Sequence, residues 1–283
     1  MNKSFFILFL SLCMGVTSVQ AQLLKNVRKK IEQKAEQVVD RTIDNIGKEQ
    51  DNSVSAAEGQ PGSTVQGGVQ QQGPFKNLAP MVYDFKRGTN LIFVDSLLQE
   101  ETGRMATRWT SNGTGAVTTV DGMPGKWLQL FDKNTYKIKE LYRLPKDFTI
   151  EFDVLTFCGT EPKIDLNFGF DHQSGVTEHY FLADRNPVNI RASYRFNRFE
   201  ITSNEWNPRK KSEIDANMSY FVNDVMKVKL VIQGDRMHAY INEFKILDTE
   251  MIDPNTRKYF YLALSNEVPQ ARVYVSNVHI YGI

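Results

Sequence analysis

Hydrophobic and polar residues alternate along Met226–Asp248 with the period of a strand. Val228, Leu230 and Ile232 alternate with Lys227, Lys229 and Val231, so an extended chain puts each set on its own face. Gln233-Gly234-Asp235-Arg236 interrupts the run with a Gly-Asp pair, the composition of a tight hairpin bend. Met237, Ala239 and Ile241 resume the alternation. Asn242-Glu243 predicts a second bend, because Asn tolerates positive φ, and Phe244 to Leu247 runs back. The stretch predicts a three-stranded antiparallel meander.

The same pattern fills most of the chain beyond Met81. Leu91 to Val94, Gly115 to Val120, Trp127 to Phe131 and Tyr136 to Leu141 read as strands, with turn signals at Asp121-Gly122 and Asp132-Lys133-Asn134. Phe148 to Leu155 and Ile164 to Phe170 alternate cleanly. His179 to Ala183, Asn189 to Phe196, Tyr259 to Leu264 and Ala271 to Tyr281 complete the set. Short strands at this spacing, with no helical segments between them, predict a two-sheet sandwich or a barrel. Trp109 and Trp127 lie in strand-like patterns and are expected in the core.

Upstream the period changes. Leu24, Val27, Ile31, Ala35, Val38, Thr42 and Ile46 step by three and four residues, which predicts one amphipathic helix over Leu23 to Lys48. Its first half carries Lys25, Arg28, Lys29, Lys30 and Lys34 against Glu32. Three roles fit this helix: self-association into a homo-oligomer through residues 23–48, peripheral contact with an anionic membrane, and a partly formed helix. Asp51 to Pro80 is rich in Gly, Ser, Gln and Pro, so it buries too little surface to order itself and predicts a disordered linker. The expected organisation is a signal peptide at 1–21, the helix at 22–50, the linker at 51–80 and the folded domain at 81–283. The signal reading rests on Lys3, the apolar run Phe5 to Val16, and Val19-Gln20-Ala21 before Gln22. Its alternative is a lipoprotein signal acylated at Cys13. Both predict export across the inner membrane, to the periplasm, the outer membrane or the exterior.

Composition removes some functions. A net charge of +1 over 283 residues lacks the basic excess of nucleic-acid-binding domains. Loss of the signal would leave Cys158 as the remaining cysteine of two, so no intrachain disulfide is expected. Cys158, between Phe157 and Gly159, reads as a small apolar residue.

Leu144-Pro145-Lys146-Asp147-Phe148-Thr149-Ile150-Glu151-Phe152-Asp153, Tyr240-Ile241-Asn242 and Val275-Ser276-Asn277-Val278 resemble elements of concanavalin A-like, laminin-G-like jelly-roll sandwiches. Tyr83-Asp84-Phe85-Lys86-Arg87-Gly88, Val94-Asp95-Ser96 and Gly103 through Trp109 are similar to secreted envelope proteins of Gram-negative bacteria. Those proteins join a basic helix, a linker and this sandwich to an OmpA-like domain. No OmpA-like segment occurs before Ile283, so no peptidoglycan anchor is expected. The resemblance implies an all-β, two-sheet antiparallel jelly-roll sandwich. It implies a fold more than an activity.

The candidate chemistry is sparse. A family of β-glucanases on this jelly roll carries Glu-x-Asp-x-x-Glu, or a form one residue shorter. Here Glu151-Phe152-Asp153 is followed at the last position by Thr156, or by Leu155, and neither serves as acid/base. The architecture also occurs in domains acting on 3-keto sugars, which leaves an enzyme open without naming residues. The four histidines have no zinc-site spacing. No cofactor is expected; a rim calcium ion is what the laminin-G resemblance allows. A binding face is the better reading. Glu151, Asp153, Asp165, Asn167, Asp171, Arg191, Ser193 and Arg195 take the polar side of the strands between Thr149 and Asn197, where amides, carboxylates and guanidinium groups suit sugar hydroxyls. Trp206, in an apparent loop, is the expected aromatic platform, ahead of Tyr180 and Tyr194. The partner expected is a glycan or an envelope protein.

Overall fold

A computed structural model describes residues 73–75, 78, 81–140, 143–159, 162–178 and 186–283. The chain divides after Gln70, and the described residues form the second unit. The signal peptide, the helix over Leu23 to Lys48 and most of the linker lie outside the described residues, as does the strand expected over His179 to Ala183.

Among the described residues fifteen strands, numbered in chain order, form two antiparallel sheets. The first runs β13 (Phe244–Glu250), β12 (Arg236–Ile241), β11 (Val225–Gln233), β6 (Phe148–Phe157), β15 (Arg272–Gly282), β4 (Trp127–Leu130), β3 (Gly115–Thr118), with β1 (Asn90–Asp95) also paired to β15. The second runs β10 (Lys210–Asp215), β9 (Arg198–Ser203), β8 (Val188–Ser193), β7 (Ile164–Asp171), β14 (Tyr259–Asn266), β5 (Thr135–Ile138), β2 (Trp109–Ser111). The meander read from Met226–Asp248 is β11–β12–β13. Its bends fall at Gly234-Asp235 and Asn242-Glu243, with Gly234 at φ 62° and Asn242 at φ 54°.

The alternating apolar residues of β6 meet those of the opposite sheet. Phe148 packs edge-on against Phe170 at 5.4 Å between ring centroids, and Phe152 against Phe168 at 5.3 Å. Each such ring contributes about 1.5–3 kcal/mol by leaving water. Trp109 and Trp127 are buried, as expected. Trp109 donates its indole N–H to Asp95 Oδ2 at 2.9 Å, and Asp95 Oδ1 accepts from Leu97 N at 2.9 Å. Asp95 of the Val94-Asp95-Ser96 motif is thus a buried bolt between β1 and β2.

Strands β9 and β10 were not expected from the sequence. β10 is KKSEID, with no outward or inward apolar run to reveal it; pairing with β9, Glu213 opposite Glu200, makes it a strand. The linker also ends earlier than Pro80. Phe75 is 2% exposed, bridges Ala216, and sits within 5.3–6.3 Å of the rings of Phe199, Phe221 and Phe244. Asn217 N donates to Pro74 O at 2.6 Å. Residues 73–75 belong to the folded domain, plugging the gap between the β9 and β13 ends of the two sheets.

Residues 81–88 then cross the outer face of the first sheet as an extended strap. The rings of Tyr83 and Phe85 stand edge-on to Tyr240 at 5.6 and 5.7 Å. Asp84 accepts from the Tyr240 hydroxyl at 2.7 Å and from Lys245 Nζ at 2.8 Å. The Lys245 ammonium, and after it the Tyr240 hydroxyl, holds the Asp84 carboxyl down at about 2. A depressed folded value gives a contribution that is complete above the unfolded value of about 4 and is lost as pH falls through the folded one. Asp84→Asn is therefore expected to destabilise the domain by about 1 kcal/mol at pH 7, with the deficit closing toward about pH 2. Urea unfolding across a pH series checks this; a deficit independent of pH would mean the strap is not held by this charge.

Candidate functional site

The outward positions of the second sheet form polar rows. Pairing sets Asp215, Arg198, Ser193, Asp165 and Ser265 side by side across β10, β9, β8, β7 and β14. The next row holds Glu213, Glu200, Arg191 and Asn167. Several of these side chains engage one another. Glu200, buried, takes Arg191 on one oxygen and Arg198 on the other. Ser193 donates its hydroxyl to Asp165. Asn189 Nδ2 donates to Asn167 Oδ1 at 3.3 Å. The result is a surface of fixed donors and acceptors on which Glu200 is held between two guanidinium groups.

Deeper on the same face a third row is fully buried. Tyr261 donates to Asn189 Oδ1 at 2.6 Å, reaching across Gly169, the residue between them in register. A Cβ at Gly169 would stand 2.2 Å from Val188 O, and its φ of 153° is one that L residues rarely adopt. Lys137, 1% exposed, donates to Asp171 Oδ2 at 2.7 Å and to the carbonyls of Gln173 and Gly175 at 2.6 and 2.7 Å. All three ammonium donors are used, and they fix the start of the segment after β7 over the sheet.

At the β8–β9 turn the polar rows reach the rim. Asn197 takes φ 51° there, and Phe196 is left 50% exposed. The Arg198 and Arg195 guanidinium carbons lie 5.3 and 5.9 Å from its ring centroid. Phe196, Asn197, Asp215, Ala216 and Asn217 line a groove of about 400 Å³. An exposed ring beside paired polar groups can stack the apolar face of a sugar while its hydroxyls meet fixed donors and acceptors.

The face expected from the sequence is in fact two faces. Asp165, Asn167, Asp171, Arg191 and Ser193 come together on the second sheet, with Arg195 at its rim. Glu151 and Asp153 stand on β6, in the first sheet, and face the opposite side of the sandwich. Both are engaged there: Arg87 of the strap bonds Glu151, and Asn277 Nδ2 donates to Asp153 Oδ2 at 2.8 Å. The sequence-adjacent strands β6 and β7 lie in different sheets, which alternation cannot reveal. Trp206 lies at the far end of β9 from Phe196. It is half-buried, with Lys210 Nζ 3.5 Å from its ring centroid. Its neighbour Glu205 accepts from Asp253 N at 2.6 Å, tying this loop to the connection between β13 and β14. Tyr194 points inward, bonded to Thr156; Tyr180 is outside the described residues.

Arg198 and Glu200 were missed by sequence reasoning because RFEITS was not read as a strand, and Phe196 was read as the end of the strand Asn189 to Phe196, whereas β8 ends at Ser193 and leaves it in the turn. The signal was present in the outward alternation of Arg198, Glu200 and Thr202. Among the described residues no three His, Cys, Asp or Glu side chains gather as a metal site requires. Cys158 is half-buried, and burial pushes its thiol up to about 11, which makes it a poor nucleophile.

The strand order, with β1 paired to the closing strand β15, gives a two-sheet antiparallel sandwich, the architecture that the resemblance implies. No family model matches the chain, and no curated protein does. Similar solved structures include a sialidase, with 12% identity, TM-score 0.48, and 69% of this chain aligned to 19% of that one. The chain thus spans about a fifth of that protein. A legume lectin-like domain from Entamoeba histolytica matches at 12% identity and TM-score 0.48, covering 62% of this chain and 90% of the other. The carbohydrate-binding module CBM66 from Bacillus subtilis matches at 18% identity and TM-score 0.44, covering 62% and 96%. These likenesses are of architecture.

Proposed function

We propose that this domain is a non-catalytic carbohydrate-binding module of an exported bacterial envelope protein. Its ligand lies on the outer face of the second sheet, at the rim around Phe196. The observation that carries this reading is a half-exposed phenyl ring flanked by two guanidinium groups beside a groove of about 400 Å³. Glu200 and Glu213 are paired with Arg191, Arg198 and Lys211, and Asp165 and Asp215 add negative charge, so the array favours neutral, hydroxyl-rich chains over anionic ones. A general acid needs a carboxyl free to reach the scissile oxygen. Glu200 is buried between two guanidinium groups and Asp171 against Lys137, so neither can serve; Asp215 lines the groove as a single carboxyl, whereas glycoside hydrolysis uses a pair.

The test is a glycan array with the whole chain, repeated with Phe196→Ala. Binding to neutral glycans is expected, with affinity falling at least about tenfold on substitution, or about 1.4 kcal/mol. Thermal stability should change by no more than about 0.5 kcal/mol, because the ring is at the surface. Absence of binding to every neutral glycan would overturn the reading; hydrolysis of a bound glycan would overturn its non-catalytic part.

A further inference from the structure

A second groove opens on the same rim. It has a volume of about 870 Å³ and lies between the β4–β5 and β14–β15 turns. Gln129, Asp132, Lys133, Asn266, Glu267 and Arg272 are among its lining residues. Its wall is braced: Asp132 Oδ1 accepts from Asn266 N at 2.7 Å, and Asn266 Oδ1 from Val268 N at 2.9 Å. The two grooves meet at one ion pair. Glu267 lines the second groove and bonds Arg195, and Arg195 stands beside the ring of Phe196, which lines the first.

Each groove alone has the size of a small-ligand site. Both members of the dividing pair are exposed to solvent, at 33% and 57%. A surface pair of this kind contributes about 0–1 kcal/mol, so a ligand hydroxyl can replace it at little cost. The guanidinium and carboxylate then offer donors and acceptors to one sugar unit. No net charge is added by crossing the pair, which keeps the combined surface suited to a neutral chain.

We propose that the two grooves are subsites of one elongated site, and that its ligand is a neutral polysaccharide chain lying across Arg195 and Glu267 rather than a single terminal sugar. This rests on the carbohydrate reading of the Phe196 face. The test is calorimetric titration of the whole chain with ladders of neutral gluco-, xylo- and manno-oligosaccharides, from disaccharide upward. Affinity is expected to rise with length and then level off. The double substitution Gln129→Ala with Lys133→Ala should weaken the longest oligosaccharide bound by about tenfold and leave the shortest unchanged. Phe196→Ala should weaken both. Affinity independent of length, or an equal loss for short and long ligands in the Gln129→Ala, Lys133→Ala protein, would overturn the two-subsite site while leaving the first groove as a sugar site. Failure of every ladder to bind would remove both readings together.

Discussion

Phe75→Ala is expected to cost the domain about 3–5 kcal/mol, the range for a phenyl ring removed from a packed interior. The ring is 2% exposed and touches three others, Phe199 from the second sheet, Phe244 from the first, and Phe221 from the short 3-10 helix Met218–Phe221. Truncating it leaves a cavity that both sheets would have to shift to fill. A chain begun at residue 81 loses the same ring and should show a similar deficit against one begun at residue 71. Urea unfolding followed by tryptophan fluorescence measures both. If residues 73–75 were only the end of a linker, neither change would move the midpoint.

Lys137→Met is the second large effect. It leaves Asp171 buried at 1% exposure without its cation and frees two carbonyls. Removing one partner of a buried ion pair costs about 3–5 kcal/mol. The double substitution Lys137→Met with Asp171→Asn should be less damaging than the sum of the two single ones, because no unpaired charge remains. The amide oxygen introduced by Asp171→Asn can still accept from Gln173 N, which donates to Asp171 Oδ1 at 3.0 Å. A double-mutant cycle reads that coupling directly. Additivity would mean that the lysine acts through packing alone.

The strands with strict alternation were legible in the sequence, as the meander and the Phe148–Asp153 run illustrate. Period two sorts residues into inward and outward but does not say which sheet they join. For that reason Glu151 and Asp153 were grouped with Asp165 and Asn167, although the connection between Phe157 and Ile164 carries the chain from one sheet to the other. Sequence neighbours pair often, though far from always. Charged edge strands such as β10 carry no apolar signal, because their inward side is covered by few neighbours. The Phe196 platform sits in a turn, where exposure comes from the conformation of Asn197 and not from any pattern. Phe75 was hidden by its surroundings: a single aromatic in a Gly- and Gln-rich run reads as linker until its pocket, built from residues more than a hundred positions later, is in place.

Strand β15 has an implication for how the protein is made. Its eleven residues pair along one side with β6 and along the other with β4 and then β1, the change of partner falling around Asn277 at φ 52°. During synthesis β1, β4 and β6 leave the ribosome long before residues 272–282 exist. Until then three strands of the first sheet have unsatisfied edges and no way to close. The meander can pair with β6, and β3 with β4, before that, but the sheet cannot join these parts until residues 272–282 have emerged. Holding factors that mask open strand edges would matter most in that interval.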